Sequence, residues 1–293
     1  MKLGKPYLYA LATTVLWSTV SAAFKITLRY LSYLQLLFYS SAVSAFVLSV
    51  TVFLEGKAAL LKSYSIRQYV CSASLGLINP FLYYTVLFKA YSLLPAQQAL
   101  TLNFVWPVLT VLLSAPLLKQ RLTVRSLLSM LLCFTGVIVI STKGNIGSLR
   151  FTNTLGVALA LGSAFLFAAY WVLNVRDNRD DTVKLMLNFL FSMPFVTAVY
   201  LLFAGASAPD YRGLAGAVYI GLFEMGVTFV LWLKALSLFE TTAQAGSLVY
   251  LSRFLSLLLI RVLVKERIHP STIVGLVLII AGIYTLHGKP IEK

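Results

Sequence analysis

Apolar positions run in long unbroken blocks, and short polar connections separate them. A membrane's hydrocarbon core is about 30 Å thick, and crossing it takes roughly 20 apolar residues in a helix. In that medium the backbone must satisfy its own hydrogen bonds, so a spanning chain is helical or forms a closed barrel. A barrel alternates apolar and polar positions with period two. The blocks here do not, so the pattern predicts helices. Ten spans are expected, at roughly 7–28, 33–54, 69–88, 96–117, 126–142, 153–174, 184–204, 214–233, 241–260 and 270–287. The fold class is therefore all-α integral membrane, with no connection long enough to hold a soluble domain.

The blocks also repeat. Lys89-Ala90-Tyr91-Ser92-Leu93 matches Lys234-Ala235-Leu236-Ser237-Leu238 at a spacing of 145. At 146, Gln98-Ala99 matches Gln244-Ala245, Lys119-Gln120-Arg121 matches Lys265-Glu266-Arg267, Gly136 matches Gly282 and Ser129 matches Gly275. Near the N-terminus, Leu16-Trp17 matches Leu166-Phe167 at 150. Leucine matches between membrane helices mean little, but the Lys-Ala-x-Ser-Leu and Lys-x-Arg pairs recur in the same order. The chain divides into halves, 1–147 and 148–293, each with five spans. An odd number turns the second half over relative to the first. That is the inverted repeat of secondary transporters, which bind substrate near the midplane between the halves.

Composition agrees with the pattern. Of 293 residues, 59% are hydrophobic and 11% charged, and the mean hydropathy is +0.87. A soluble domain carries about 45–50% apolar and about 25% charged residues. The net charge of +15 does not indicate nucleic-acid binding, because the basic residues are scattered between apolar blocks and form no stripe. With ten spans, 14 Lys and Arg fall on the side of both termini and nine on the other. That bias places both termini in the cytoplasm, of a cell inner membrane protein. Lys2, Lys5 and the first apolar block could be a signal peptide cleaved after Val20-Ser21-Ala22. The repeat argues against cleavage, since this block has a partner in the second half. Cys71 and Cys133 lie inside spans and suggest neither a disulfide framework nor a metal motif.

These residues carry a family resemblance. Leu16-Trp17-Ser18, Ala99 to Leu118 with Trp106-Pro107-Val108-Leu109-Thr110, the basic loop before Gly136, and Val264-Lys265-Glu266-Arg267-Ile268 before Gly275 and Gly282 resemble the EamA type of the drug/metabolite transporter superfamily. The resemblance covers nearly the whole chain. It implies ten helices, alternating access, a cavity lined by spans three, four, eight and nine, and gating by spans one and six. Family members move amino acids, nucleotide sugars, triose phosphates, other metabolites and drugs, and bacterial members are mostly exporters. Two departures stand out: Lys119-Gln120-Arg121 lacks the usual acid, and Arg253 replaces the proline that the first half has as Pro107.

Candidate chemistry centres on two charges. Glu224 is mid-span, whereas the other eight acidic residues lie in loops or at span ends, and its repeat partner is Asn79. Ionisable groups at membrane depth are expensive and face a cavity or a partner. Glu224 could bind a substrate amine, carry a coupling proton or pair structurally. Arg253 is always charged and needs an anion, either Glu224 or a carboxylate or phosphate on the cargo. Pro80, Pro107 and Pro194 interrupt spans; Pro80 and Pro107 are hinge candidates, while Pro194 reads as a plain kink. Asn103 and Trp106 accompany Pro107. Trp17, Tyr83, Trp106 and Tyr250 lie on spans expected to face the cavity, where stacking on cargo competes with plain packing. Gln98 and Gln244 open spans four and nine as hydrogen-bonding candidates. Lys89 and Lys234 read as side chains reaching for the interface. Asp177-x-x-Asp180-Asp181 reads as a solvated loop, and neither His269 nor His287 has a catalytic or metal partner at useful spacing. The small residues at 129, 136, 275 and 282 either pack the scaffold or form a homodimer interface through helices five and ten.

The expected protein is a secondary exporter of a small metabolite, an amino acid or related zwitterion, and not an enzyme. No cofactor is expected, and the expected partners are a small-molecule substrate and the bilayer, without nucleic acid. An organic-phosphate or nucleotide-sugar exchanger is the alternative within the class. A lipid-modifying membrane enzyme is the alternative outside it, and it lacks paired acids, a His cluster or a metal motif.

Overall fold

A computed structural model describes residues 5–118, 124–145, 153–175, 177–205, 208–238 and 252–287. Within them the chain is helical, without a strand. The helices are α1 (Lys5–Thr27), α2 (Tyr33–Leu54), α3 (Ile66–Gly76), α4 (Tyr83–Leu93), α5 (Ala96–Asn103), α6 (Trp106–Leu118), α7 (Val124–Ser141), α8 (Thr154–Val175), α9 (Asp181–Phe203), α10 (Tyr211–Ile220), α11 (Val227–Leu238), α12 (252–259) and α13 (Pro270–His287). Among the described residues, six segments are long and apolar enough to cross a membrane: Tyr7–Thr27, Tyr33–Leu54, Ile66–Leu93, Thr154–Asn174, Asp181–Phe203 and Tyr211–Trp232. Met130–Ile140 and Pro270–Thr285 are shorter apolar helices. The protein is an all-α membrane protein.

Local sequence explains where the helices start. Ser32 with Gln35 and Ser65 with Gln68 form reciprocal capping boxes at α2 and α3, each satisfying otherwise orphaned backbone donors. Asp180 and Asp210 cap α9 and α10. Helix α9 runs through Pro194 without ending.

Three interruptions shape the interior. α3 passes into α4 through a π-helical turn, Leu77–Leu82, where Asn79 is extended (φ −145°, ψ 119°). Pro80 follows it, and proline pushes the preceding residue out of the helical region. α10 passes into α11 through a second π-helical turn, Gly221–Gly226. There the Thr228 hydroxyl bonds the Phe223 carbonyl, and Ser44 Oγ on α2 donates to the Gly221 carbonyl at 2.9 Å. Span four breaks at Phe104 and Val105, between α5 and α6, and Pro107 stands in the first turn of α6, where its missing N–H costs nothing.

Helix α2 packs on α9, α1 on α11, α4 on α8, and α7 on α13. Exchanging equivalent spans of the two sequence repeats turns the α1–α11 contact into the α8–α4 contact and returns the other two pairs to themselves. Close approach enforces these pairings. A Cβ on Gly221 would meet the Ser40 carbonyl oxygen of α2 at 2.7 Å, and one on Gly76 would collide with the Asn188 carbonyl of α9. Gly136 and Gly275 meet in the α7–α13 crossing, each within 2.7 Å of the other's carbonyl oxygen if given a Cβ. These two glycines therefore serve an intramolecular contact.

The interior holds fully buried Tyr84, Phe88, Phe104, Tyr170, Phe189 and Phe229. Large apolar side chains also cover the outside, including Phe46, Phe53 and Leu201 to Phe203 at 69–73% exposure. A soluble monomer does not present so much apolar surface. The Asp177–Asp181 loop, expected to be solvated, is tied into the fold. Arg179 pairs with Asp177, donates to Ser72 Oγ at 2.8 Å and lies over the Tyr64 ring. Burial pushes the Asp177 carboxyl up, but Arg179 more than reverses this and leaves it below its ordinary value.

Candidate functional site

A narrow cavity of about 40 Å³ lies beside two of the interruptions, the break between α5 and α6 and the Gly221–Gly226 turn. Helix α1 supplies Trp17, Val20, Ser21 and Phe24, and α4 supplies Tyr83, Leu87 and Tyr91. Leu100 and Asn103 come from α5 and Trp106 from α6, on either side of the break in span four. Phe167 comes from α8, Glu224 from the π-helical turn and Arg253 from α12.

The walls are aromatic and interlocked. Tyr83 stacks on Phe167 with centroids 4.7 Å apart, and Trp106 meets Phe167 edge-on at 5.2 Å. Trp17 leans on Trp232 at 5.6 Å and on Phe229 at 6.3 Å. Phe24 packs edge-on against Phe88 and Tyr91. Two hydrogen bonds fix polar groups in this wall: Tyr91 Oη to Ser21 Oγ at 2.9 Å, and Asn103 Nδ2 to Ser163 Oγ at 2.9 Å.

The two charges have different direct contacts. Tyr84 donates its hydroxyl to Glu224 Oε1 at 3.2 Å. Arg253 lies over the face of Phe104, 4.5 Å from its centroid, a cation–π contact. No Glu224–Arg253 ion pair within 4.0 Å occurs among the described residues. Arg253 Nε and the indole N–H groups of Trp17 and Trp106 are buried and, among the described residues, have no hydrogen-bond acceptor. Buried donors are nearly always paired, so these three lining N–H groups are an exception.

Of the residues singled out in the sequence, Glu224, Arg253, Asn103, Trp106, Tyr83 and Trp17 line this one cavity. Asn79 and Pro80 are buried in the turn of span three and do not line it. Gln98 is buried and donates to the Ile140 carbonyl of α7 at 3.2 Å, a scaffold contact. Gln244 and Tyr250 lie outside the described residues. Sequence reasoning passed over Ser21, Phe24, Tyr91 and Phe167; of these, Phe167 carried a signal, as the repeat partner of Trp17.

Residues 4–142 and 154–287 both match the EamA-like transporter family. The chain belongs to that family. This EamA-like transporter is similar to an uncharacterized transporter of Archaeoglobus fulgidus, with 26% identity over 292 residues and 98% of each chain covered. It is also similar to a protein of Streptantibioticus cattleyicolor named a probable terminal-alkyne amino-acid exporter. That match is 28% identical over 203 residues, covering 68% of this chain and 66% of the relative. A solved structure titled only as a crystal structure of a protein shares the fold, with a TM-score of 0.69, 22% identity and 96% of each chain covered.

Proposed function

We propose that this EamA-like transporter exports a small zwitterion, an amino acid or close relative, across the cytoplasmic membrane by alternating access. The carrying observation is that Glu224 and Arg253 line one cavity and, among the described residues, form no ion pair. Isolated charges at membrane depth are costly, and a guanidinium keeps its charge. A zwitterion between them offers an ammonium to Glu224 and a carboxylate to Arg253. The same carboxylate reaches the class of donor that Trp17 and Trp106 leave unpaired, while the aromatic walls cover the cargo's body.

The cavity's size favours a carrier over a pore. About 40 Å³ admits a few waters but no amino acid, so cargo entry requires the helices to move. The breaks in spans three, four and eight supply places for movement, and broken spans at the midplane are where inverted-repeat transporters bind. Pro107 and Pro80 are the hinge residues of this scheme. The relative named an amino-acid exporter supports the cargo class.

Counterflow from proteoliposomes loaded with mixed metabolites, read by mass spectrometry, tests the reading. Neutral amino acids are expected to leave selectively and saturably. Replacing Glu224→Gln with Arg253→Gln is expected to slow that loss at least about tenfold, about 1.4 kcal/mol. Unchanged transport by the double variant refutes the site. Selective loss of phosphorylated compounds instead makes the protein an anion exchanger centred on Arg253.

A further inference from the structure

We infer that Asn79 is the first-half counterpart of Glu224 and becomes a cargo ligand when the transporter faces the opposite side of the membrane. The inference rests on the transport reading above. It starts from two of the three π-helical turns among the described residues, Leu77–Leu82 and Gly221–Gly226, the third being Ile260–Val264. They overlap in the repeat, displaced by one residue: the spacing of 145 that aligns Lys89 with Lys234 carries Asn79 onto Glu224 and Gly76 onto Gly221. A glycine at the entry to each turn, Gly76 just before the first and Gly221 opening the second, packs on a carbonyl of the facing helix, Gly76 on Asn188 of α9 and Gly221 on Ser40 of α2. π-Helical turns concentrate at functional sites, and here both halves keep one with a polar side chain inside it.

The two polar side chains are not equally served. Glu224 lines the cavity and receives the Tyr84 hydroxyl. Asn79 is 1% exposed, is absent from the cavity wall and, among the described residues, has no partner for either its amide nitrogen or its amide oxygen. The counterpart of Tyr84 at the same spacing is Phe229, which has no hydroxyl to offer. A buried amide with both ends unpaired costs free energy in this conformation, and that cost is relieved wherever the side chain meets a polar partner.

An inverted repeat offers a second conformation: as access alternates around a site between the halves, the first half can take up the arrangement the second half has here. The turn holding Glu224 at the cavity then takes the arrangement now seen at Asn79, and the reverse. Asn79 lies four residues before Tyr83, which already lines the cavity, so residues 77–82 are the segment whose rearrangement would bring it in. A neutral amide holds an ammonium or carboxylate less tightly than an ion does. Cargo held by Glu224 on one side of the membrane is thus handed to a weaker ligand on the other, which favours release.

Side-resolved counterflow in oriented proteoliposomes tests this, with the amino acid that wild type exchanges as probe. Asn79→Leu is expected to raise KM on one side at least about tenfold and leave the other within about twofold. Glu224→Gln is expected to do the opposite. Equal changes on both sides, or no change, overturn the inference while the cargo site stands. Absence of saturable wild-type exchange overturns the transport reading, and this inference with it. Thiol labelling covers a variant that fails to fold. In a Cys71→Ser, Cys133→Ser background, Asn79→Cys is expected to react with a small thiol reagent several-fold faster during exchange than in cargo-free protein. Equal slow labelling in both overturns it.

Discussion

At the end of the bundle where α2 stops and α9 starts, the Glu55 carboxylate accepts ion pairs from Lys57 at 2.9 Å and Lys234 at 2.8 Å. Lys57 also reaches Asp180 at 2.8 Å. Four side chains thus tie residues from both halves, at 19–45% exposure. At the opposite end, where α4 stops and α13 starts, the second half supplies Glu266, which accepts the Ala96 and Gln97 backbone N–H groups at 3.0 and 3.4 Å. Gln97 then donates to the Arg267 carbonyl and accepts from His269 N and Thr272 Oγ1, all at 2.9–3.0 Å. Lys25 closes the same end by donating to the Tyr91 and Leu94 carbonyls. One clamp is made of partly hydrated side-chain charges, and the other of a carboxylate and an amide on buried backbone. The first parts at little cost, whereas opening the second strands backbone donors. On the proposed cycle the two ends therefore differ in how readily they open.

The largest effect is expected at Gln97, which is 2% exposed. Gln97→Leu leaves the Arg267 carbonyl, His269 N–H and Thr272 hydroxyl without their partner. At about 1 kcal/mol for each lost bond, this lowers stability by about 3 kcal/mol, read as a fall in Tm in detergent. Glu266→Ala removes the acceptor for two N–H groups at the start of α5 and is expected to cost about 1–2 kcal/mol. Both variants should shift the carrier toward opening at this end, seen as faster labelling of a cysteine placed at Gln98. A Tm within one degree of wild type for Gln97→Leu would sink the claim that this clamp is the stronger one.

The long helices were legible because lipid demands unbroken apolar sequence, and the described helices fall where the apolar blocks are. The break in span three was signalled by Pro80. The break at Gly221–Gly226 has no proline, and only the repeat spacing from Leu77–Leu82 marks it. Gln98 drew attention through its match to Gln244, yet its neighbour Gln97 does the bonding at the far end. Adjacent residues on a helix point about 100° apart, and apolar patterning does not fix the rotation of a helix that is apolar all round. The same indeterminacy hid Ser21, Phe24 and Tyr91, whose place in the wall depends on how α1 and α4 are turned. Glu224 and Arg253 were legible because a charge inside a span stands out in any rotation.

The smallest effect belongs to the Glu55 clamp, and its conditions of failure are distinctive. Burial pushes the Glu55 carboxyl up, but hydrogen bonds from Lys234, Lys57 and Thr182 outweigh it and bring its pKa from 4.5 to about 2. The folded value lies below the unfolded one, so the clamp's contribution is complete above the ordinary carboxylate range and is lost as pH falls from about 4.5 toward about 2. Glu55→Gln is expected to cost only about 0.5–1 kcal/mol near neutrality, since hydrated ion pairs gain little. The gap between wild type and variant should close below pH 4.5. It should also narrow between about 0.1 M and about 1 M salt, as the screening length drops from about 10 Å to about 3 Å. The deficit of Glu266→Ala, which rests on backbone N–H groups, should survive the same salt. Equal salt sensitivity at both clamps would mean that the two ends close by the same physics, and that the difference in exposure has no mechanical consequence.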